Sequence, residues 1–165
     1  MAGSWWWLDE FNMALLAITL AASLRWGAGP ERLCAAVIVG MQGADAVLHA
    51  VADRGAVYHS VDAGHLAIDA SAALAFLLIA VNANRIYPLW IAALQLISVL
   101  AHFARQASET IAGLAYAYLA YGPFYLEIVV VLGGTVLHAR RVRRTGTYRS
   151  WRTSSSPSPA RTRKR

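Results

Sequence analysis

Three carboxylates and three imidazoles stand in a sequence that offers them little water. Asp45, Asp69 and Glu127 fall inside long apolar runs, and His49, His65 and His102 lie nearer the ends of such runs. An ionisable side chain at the centre of a membrane helix costs about 2.5–3.5 kcal/mol on insertion scales, so each of these groups needs a partner, a ligand or a proton. Their spacing is helical. Asp45/His49, His65/Asp69 and Ser98/His102 are each four residues apart, which places each pair on one helix face, and Gln95 extends the last face by another turn.

Such a set suits three kinds of chemistry. Zinc or iron takes neutral imidazole nitrogens, with carboxylates as further ligands or as acceptors for the second ring N–H. Haem b takes two axial histidines from facing helices. Without any cofactor, His/Asp pairs pass protons or sense external pH. A fourth reading is purely architectural: interhelical His–Asp hydrogen bonds that hold a bundle together, at about 0.6 kcal/mol each on average. The metal set is His49, His65, His102, Asp45 and Asp69, and a proton or ion path would use Glu127 and Asp69. There is no HExxH, HxxxH or CxxC spacing, no phosphate-binding loop and no nucleophile elbow, so no enzyme class is implied.

Five apolar segments must position these residues, at about 5–24, 33–51, 63–81, 89–103 and 111–137. Their continuous hydrophobicity predicts an all-α polytopic transmembrane bundle, since a helix satisfies its own backbone in lipid. The first segment is the weakest, because Asp9 and Glu10 leave it short of the ~20 apolar residues needed to span. The last is longer than a hydrocarbon core of ~30 Å requires, and Gly122-Pro123 supplies a kink. Antiparallel hairpins turning near residues 57 and 84 set His49 level with His65, Asp45 with Asp69, His65 with His102 and Asp69 with Ser98. The expectation is one layer of three histidines above a layer of Asp45, Asp69 and Ser98, with Asp53, His59 and Asp62 in the adjoining loop. Glu127 sits one turn past Pro123, with Asn82, Tyr118 or a backbone group freed at the kink as partner. Tyr116, Tyr118, Tyr121 and Tyr125 read as interface anchors and packing, and Gly133-Gly134 permits close helix approach.

Composition agrees. Of 165 residues 58% are hydrophobic and only 15% charged, with a mean hydropathy of +0.43. The single cysteine, Cys34, excludes an internal disulfide or a thiolate metal cluster. All nine acids precede residue 140, whereas ten of the fifteen basic residues follow it. The basic pI thus belongs to the tail, and a nucleic-acid partner is not implied. With five spans, thirteen basic residues fall on the tail's side and only Arg54 and Arg105 on the other, which predicts a bacterial inner-membrane protein with a cytoplasmic C-terminus. Residues 140–165 are expected to form a disordered tail drawn to anionic lipid head groups, at about 1 kcal/mol per basic residue. The N-terminus has no basic residue ahead of its apolar run and is expected to be retained rather than cleaved.

The stretch VDAGHLAIDASAALAFLLIAVNANRIYPLWIAALQLISVLAHFAR resembles a group of small membrane proteins of alphaproteobacteria, through its VD…G…AID opening, NRIYPLW turn and AHFAR exit. That resemblance implies an inner-membrane location and brings no reaction with it. The functional expectation is an accessory or binding component of the membrane. The alternatives are a metal or haem protein built on the His/Asp layer and a proton-coupled transporter or channel subunit. Five spans are few for transport, which points to a homo-oligomer or a larger complex.

Overall fold

Among the described residues, five helices follow the five apolar segments in order: α1 (Trp6–Trp26), α2 (Gly29–Ala52), α3 (Ala63–Asn82), α4 (Tyr87–Ala107) and α5 (Gly113–Thr145). The computed structural model describes residues 6–52, 63–107 and 113–152. The expected Asp53, His59 and Asp62 of the α2–α3 connection, and the last thirteen residues of the basic tail, lie outside the described residues. Four helices, α2 to α5, are long and apolar enough to cross a membrane. Their large side chains fit that environment. Leu78, Leu100 and Val129 are 55%, 61% and 65% exposed, as suits a bundle whose solvent is hydrocarbon.

Each helix begins and ends for local reasons. Pro30 lies in the first turn of α2, where a missing N–H costs nothing, and the Glu31 carboxylate reaches back to accept the Ala28 N–H at 3.0 Å. α5 runs unbroken through Pro123 and ends at Gly146, whose φ of 79° is the left-handed conformation that lets its N–H reach the Val142 carbonyl at 2.8 Å. At 1.5 Å per residue its 33 residues make a rod of about 50 Å, so it projects beyond any bilayer core.

The helices close into a ring, α1 against α2 and α5, and α3 and α4 completing the circuit, with Cys34, Ile38, Phe76, Ile91, Ile128 and Val131 filling the centre. α1 lies alongside α5. Asn12 accepts a hydrogen bond from Tyr125 at 3.1 Å and Ser23 meets Thr135 at 3.3 Å, an almost constant offset in residue number that makes the two helices parallel. Trp6 and Thr145 are therefore at opposite ends of the bundle. The close approach expected at the glycine pair occurs at Gly134, where an added Cβ would come within 3.0 Å of the Tyr87 ring; Gly133 faces open space.

The tail corrects its expected boundary. Helix α5 continues through Arg140–Arg144, and residues 146–152 turn back across the α3–α4 connection instead of dangling. Asn84 N donates to the Ser150 carbonyl, Arg152 N to that of Asn82, and the Tyr148 hydroxyl to that of Asn84, at 2.9–3.1 Å. Trp151 lies on Gly29, where even a methyl group would collide with the indole at 2.7 Å. Beneath this strap Glu31, fully buried, pairs with Arg85, whose guanidinium lies 5.4 Å from the Tyr148 ring centre. Burial pushes the Arg85 guanidinium below its ordinary value. Composition counted arginines and missed that aromatic and backbone partners would order them.

Candidate functional site

At the end of the bundle opposite this arginine-rich seal, α2, α3, α4 and α5 bring together the histidines and their acids. All five residues of the expected metal set gather there, but they form two groups rather than one layer. His49 meets His65 as hairpin symmetry implies, and the carboxylate pairings run diagonally.

The first group bridges α2 and α3. Asp45 Oδ1 is 2.9 Å from His65 Nε2 and 3.6 Å from His49 Nε2, and the two rings stand 5.2 Å apart at a 57° tilt. The expected alignment of His49 with His65 is thus met, while Asp45 faces His65 rather than Asp69. One donor atom from each of the three residues lies within 4.8 Å of the other two, and all three side chains are partly exposed.

The second group bridges α3, α4 and α5. His102, 3% exposed, places Nε2 at 2.9 Å from Asp69 Oδ2 and Nδ1 at 2.8 Å from the Tyr116 hydroxyl. With Nε2–H donated to the carboxylate, Nδ1 is left as an acceptor for the hydrogen bond from the tyrosine hydroxyl. Gln95 Nε2 donates to the other Asp69 oxygen at 2.9 Å, and Ser98 turns away to the Ala120 carbonyl at the same distance. Both nitrogens of His102 are committed within the protein, so it cannot also ligate a metal in this arrangement. Tyr116, 5% exposed, is a buried partner of His102 rather than an interface anchor. Its signal was available, since Tyr116 and Ala120 are four apart on the α5 face that meets Ser98 and His102, but no sequence rule ranks one tyrosine of four.

Between and below the groups is a cavity of about 280 Å³, bordered by Asp45, His65, Asp69, Gln95 and His102 on one side and by Tyr116, Tyr121, Phe124 and Tyr125 of α5 on the other. Asn12 of α1 also lines it. The volume falls just under the ~300–1,000 Å³ typical of drug-sized ligands. A porphyrin does not fit, and His49 and His65 both turn Nε2 to one carboxylate instead of flanking a macrocycle.

Glu127 is elsewhere. It is fully buried and lies outside the cavity lining; neither carboxyl oxygen has a hydrogen-bond partner among the described residues. The partners expected for it are occupied or distant: Asn82 donates to the Leu78 carbonyl, and Tyr118 is 71% exposed. Comparison with protein-family models, curated proteins and solved structures gives no match for this chain.

Proposed function

We propose that the chain is a membrane-embedded binding protein whose cavity takes a compact organic cation, such as a primary or quaternary amine. One observation carries this reading: Asp45 and Asp69 border a cavity walled by Tyr116, Tyr121, Phe124 and Tyr125, with no lysine or arginine among its lining residues. Carboxylates supply charge, and aromatic faces attract cations by about 0.5–2 kcal/mol each when water is excluded. An anion would meet the two carboxylates with no lysine or arginine to offset them. Asp69 is held in place by Gln95 and His102, so its charge needs no reorganisation when a ligand arrives.

Orientation supports a periplasmic mouth. Arg25, Arg32, Arg85 and the α5 arginines share the opposite end, which the positive-inside rule assigns to the cytoplasm of a bacterial inner membrane. There the exposed arginines of residues 140–149 would rest on anionic head groups. A reporter fused after Arg165 is expected to be active only as a cytoplasmic fusion.

Benzyltrimethylammonium is a suitable probe, because neopentylbenzene has the same shape without the charge. Calorimetry on detergent-solubilised protein is expected to give saturable binding of the ammonium, at least tenfold weaker for the hydrocarbon and for Asp69→Asn. At ~5 Å and an effective dielectric of ~20 a unit charge pair is worth about 3 kcal/mol, so tenfold is a lower bound. Equal binding of the two probes, or no binding of the ammonium, refutes the reading.

A further inference from the structure

Two imidazoles aim the same ring nitrogen at one carboxylate oxygen on the rim of the cavity. A structural His–Asp pair needs one imidazole, and His65 already supplies it at 2.9 Å. His49 adds a second from the next turn of α2, four residues beyond Asp45, with its Nε2 at 3.6 Å from the same oxygen. We infer that Asp45, His49 and His65 form a site for a divalent transition metal ion, zinc fitting best, at the mouth of the cavity.

The distances suit the ion. Zinc bonded to nitrogen and oxygen at ~2.0–2.1 Å in a tetrahedron spaces its ligands by about 3.3 Å. The Asp45 separations of 2.9 and 3.6 Å bracket that value and all three donor atoms lie within 4.8 Å of one another, so side-chain rotations bring them onto one metal. Imidazole with carboxylate is a donor set that zinc favours over magnesium or calcium, which prefer all-oxygen shells. Exposure fits as well. His49 and Asp45 are 37% and 31% exposed, enough for an ion to enter, and His65 is 15% exposed at the cavity wall. Three protein ligands leave a fourth position for water or an incoming donor. His102 and Asp69 take no part, being tied to Tyr116 and Gln95.

The site has a regulatory consequence that rests on the organic-cation reading above. Zinc would engage Asp45 and place positive charge at the mouth of a cavity that selects for cations, so metal and organic cation should oppose one another. His49 is absent from the cavity lining, which makes it the residue that separates the two events.

The test uses full-length protein without an affinity tag, stripped with chelator and titrated with zinc chloride in detergent. Wild type is expected to bind one zinc per chain, and His49→Ala and His65→Ala to weaken binding at least tenfold with unchanged helical circular dichroism. Asp45→Asn gives a further check, because it keeps the shape and removes the anionic ligand. Zinc is expected to raise the apparent Kd of benzyltrimethylammonium in wild type but not in His49→Ala. Zinc binding that survives the double His49→Ala/His65→Ala substitution, or that is absent from folded wild type, overturns the metal site. Failure of the ammonium to bind at all removes the organic-cation reading, and the direct zinc titration then decides the metal site by itself.

Discussion

Removing Arg85 should destabilise the bundle far more than removing both members of its ion pair. Glu31 is fully buried, and the Arg85 side chain is 6% exposed. Arg85→Met takes away the guanidinium and leaves a carboxylate whose remaining partner is the Ala28 N–H at 3.0 Å. Breaking a buried pair in this way costs about 3–5 kcal/mol, chiefly as the penalty of an uncompensated charge. The contact of Arg85 with the Tyr148 ring at 5.4 Å adds little, because Arg141 stacks on the same ring at 4.4 Å. Glu31→Gln in the Arg85→Met background removes the stranded charge while its amide oxygen still accepts from Ala28. The double variant should therefore recover at least ~2 kcal/mol of the loss, a non-additivity well above the ~0.5 kcal/mol seen for independent sites. Reversible unfolding in mixed SDS and neutral-detergent micelles, followed by circular dichroism, gives the four free energies. Single variants each within ~1 kcal/mol of wild type, or additive effects, would show that this end of the molecule is open to water and that the pair is an ordinary surface contact.

Gly29→Ala should prise the strap from the bundle, because its Cβ would sit 2.7 Å from the Trp151 indole; faster trypsin cleavage after Arg149 and a red-shifted tryptophan emission are the readouts. Tyr116→Phe leaves His102 Nδ1 buried without its donor, at about 1–3 kcal/mol in the same unfolding assay, and an unchanged midpoint would contradict the hydrogen bond. Cys34 has no exposed surface, so a membrane-permeant maleimide should label it only after denaturation, and rapid labelling of folded protein would contradict the packing of α2.

Helix number, helix order and the meeting of His49 with His65 were legible because they follow from the length of apolar runs and the symmetry of hairpins. Hairpin depth brought His49 to His65 and Asp69 to the Gln95–His102 stretch. It could not choose among diagonal neighbours, because a level match fixes height and leaves rotation about each helix axis open. For this reason the single layer of three histidines divides into Asp45–His49–His65 and Gln95–Asp69–His102–Tyr116. The strap was illegible for a different reason. Its composition is polar and its partners are carbonyls of Asn82, Ala83 and Asn84, a pattern that only the folded turn presents. Glu31 likewise reads in sequence as a helix-start acid, and only the arrival of Arg85 from fifty-four residues away makes it part of a buried pair.

Glu127 sets stability against retention most directly. A buried carboxyl without a hydrogen-bond partner contributes desolvation cost and nothing to offset it, about 1–3 kcal/mol on mutational scales. Val131, one turn further along α5, is fully buried as well. Methionine has nearly the same length, no charge and enough flexibility to fill the space, so Glu127→Met is expected to stabilise the bundle by about 1–3 kcal/mol in the micelle unfolding assay. Glu127→Gln should not, because its amide brings donors that have nowhere to go. That ordering, Met above wild type and Gln at or below it, is what an unpartnered group requires. If Glu127→Met is instead destabilising by more than ~1 kcal/mol, the carboxyl has a hydrogen-bonding partner in the folded protein and the position contributes to stability.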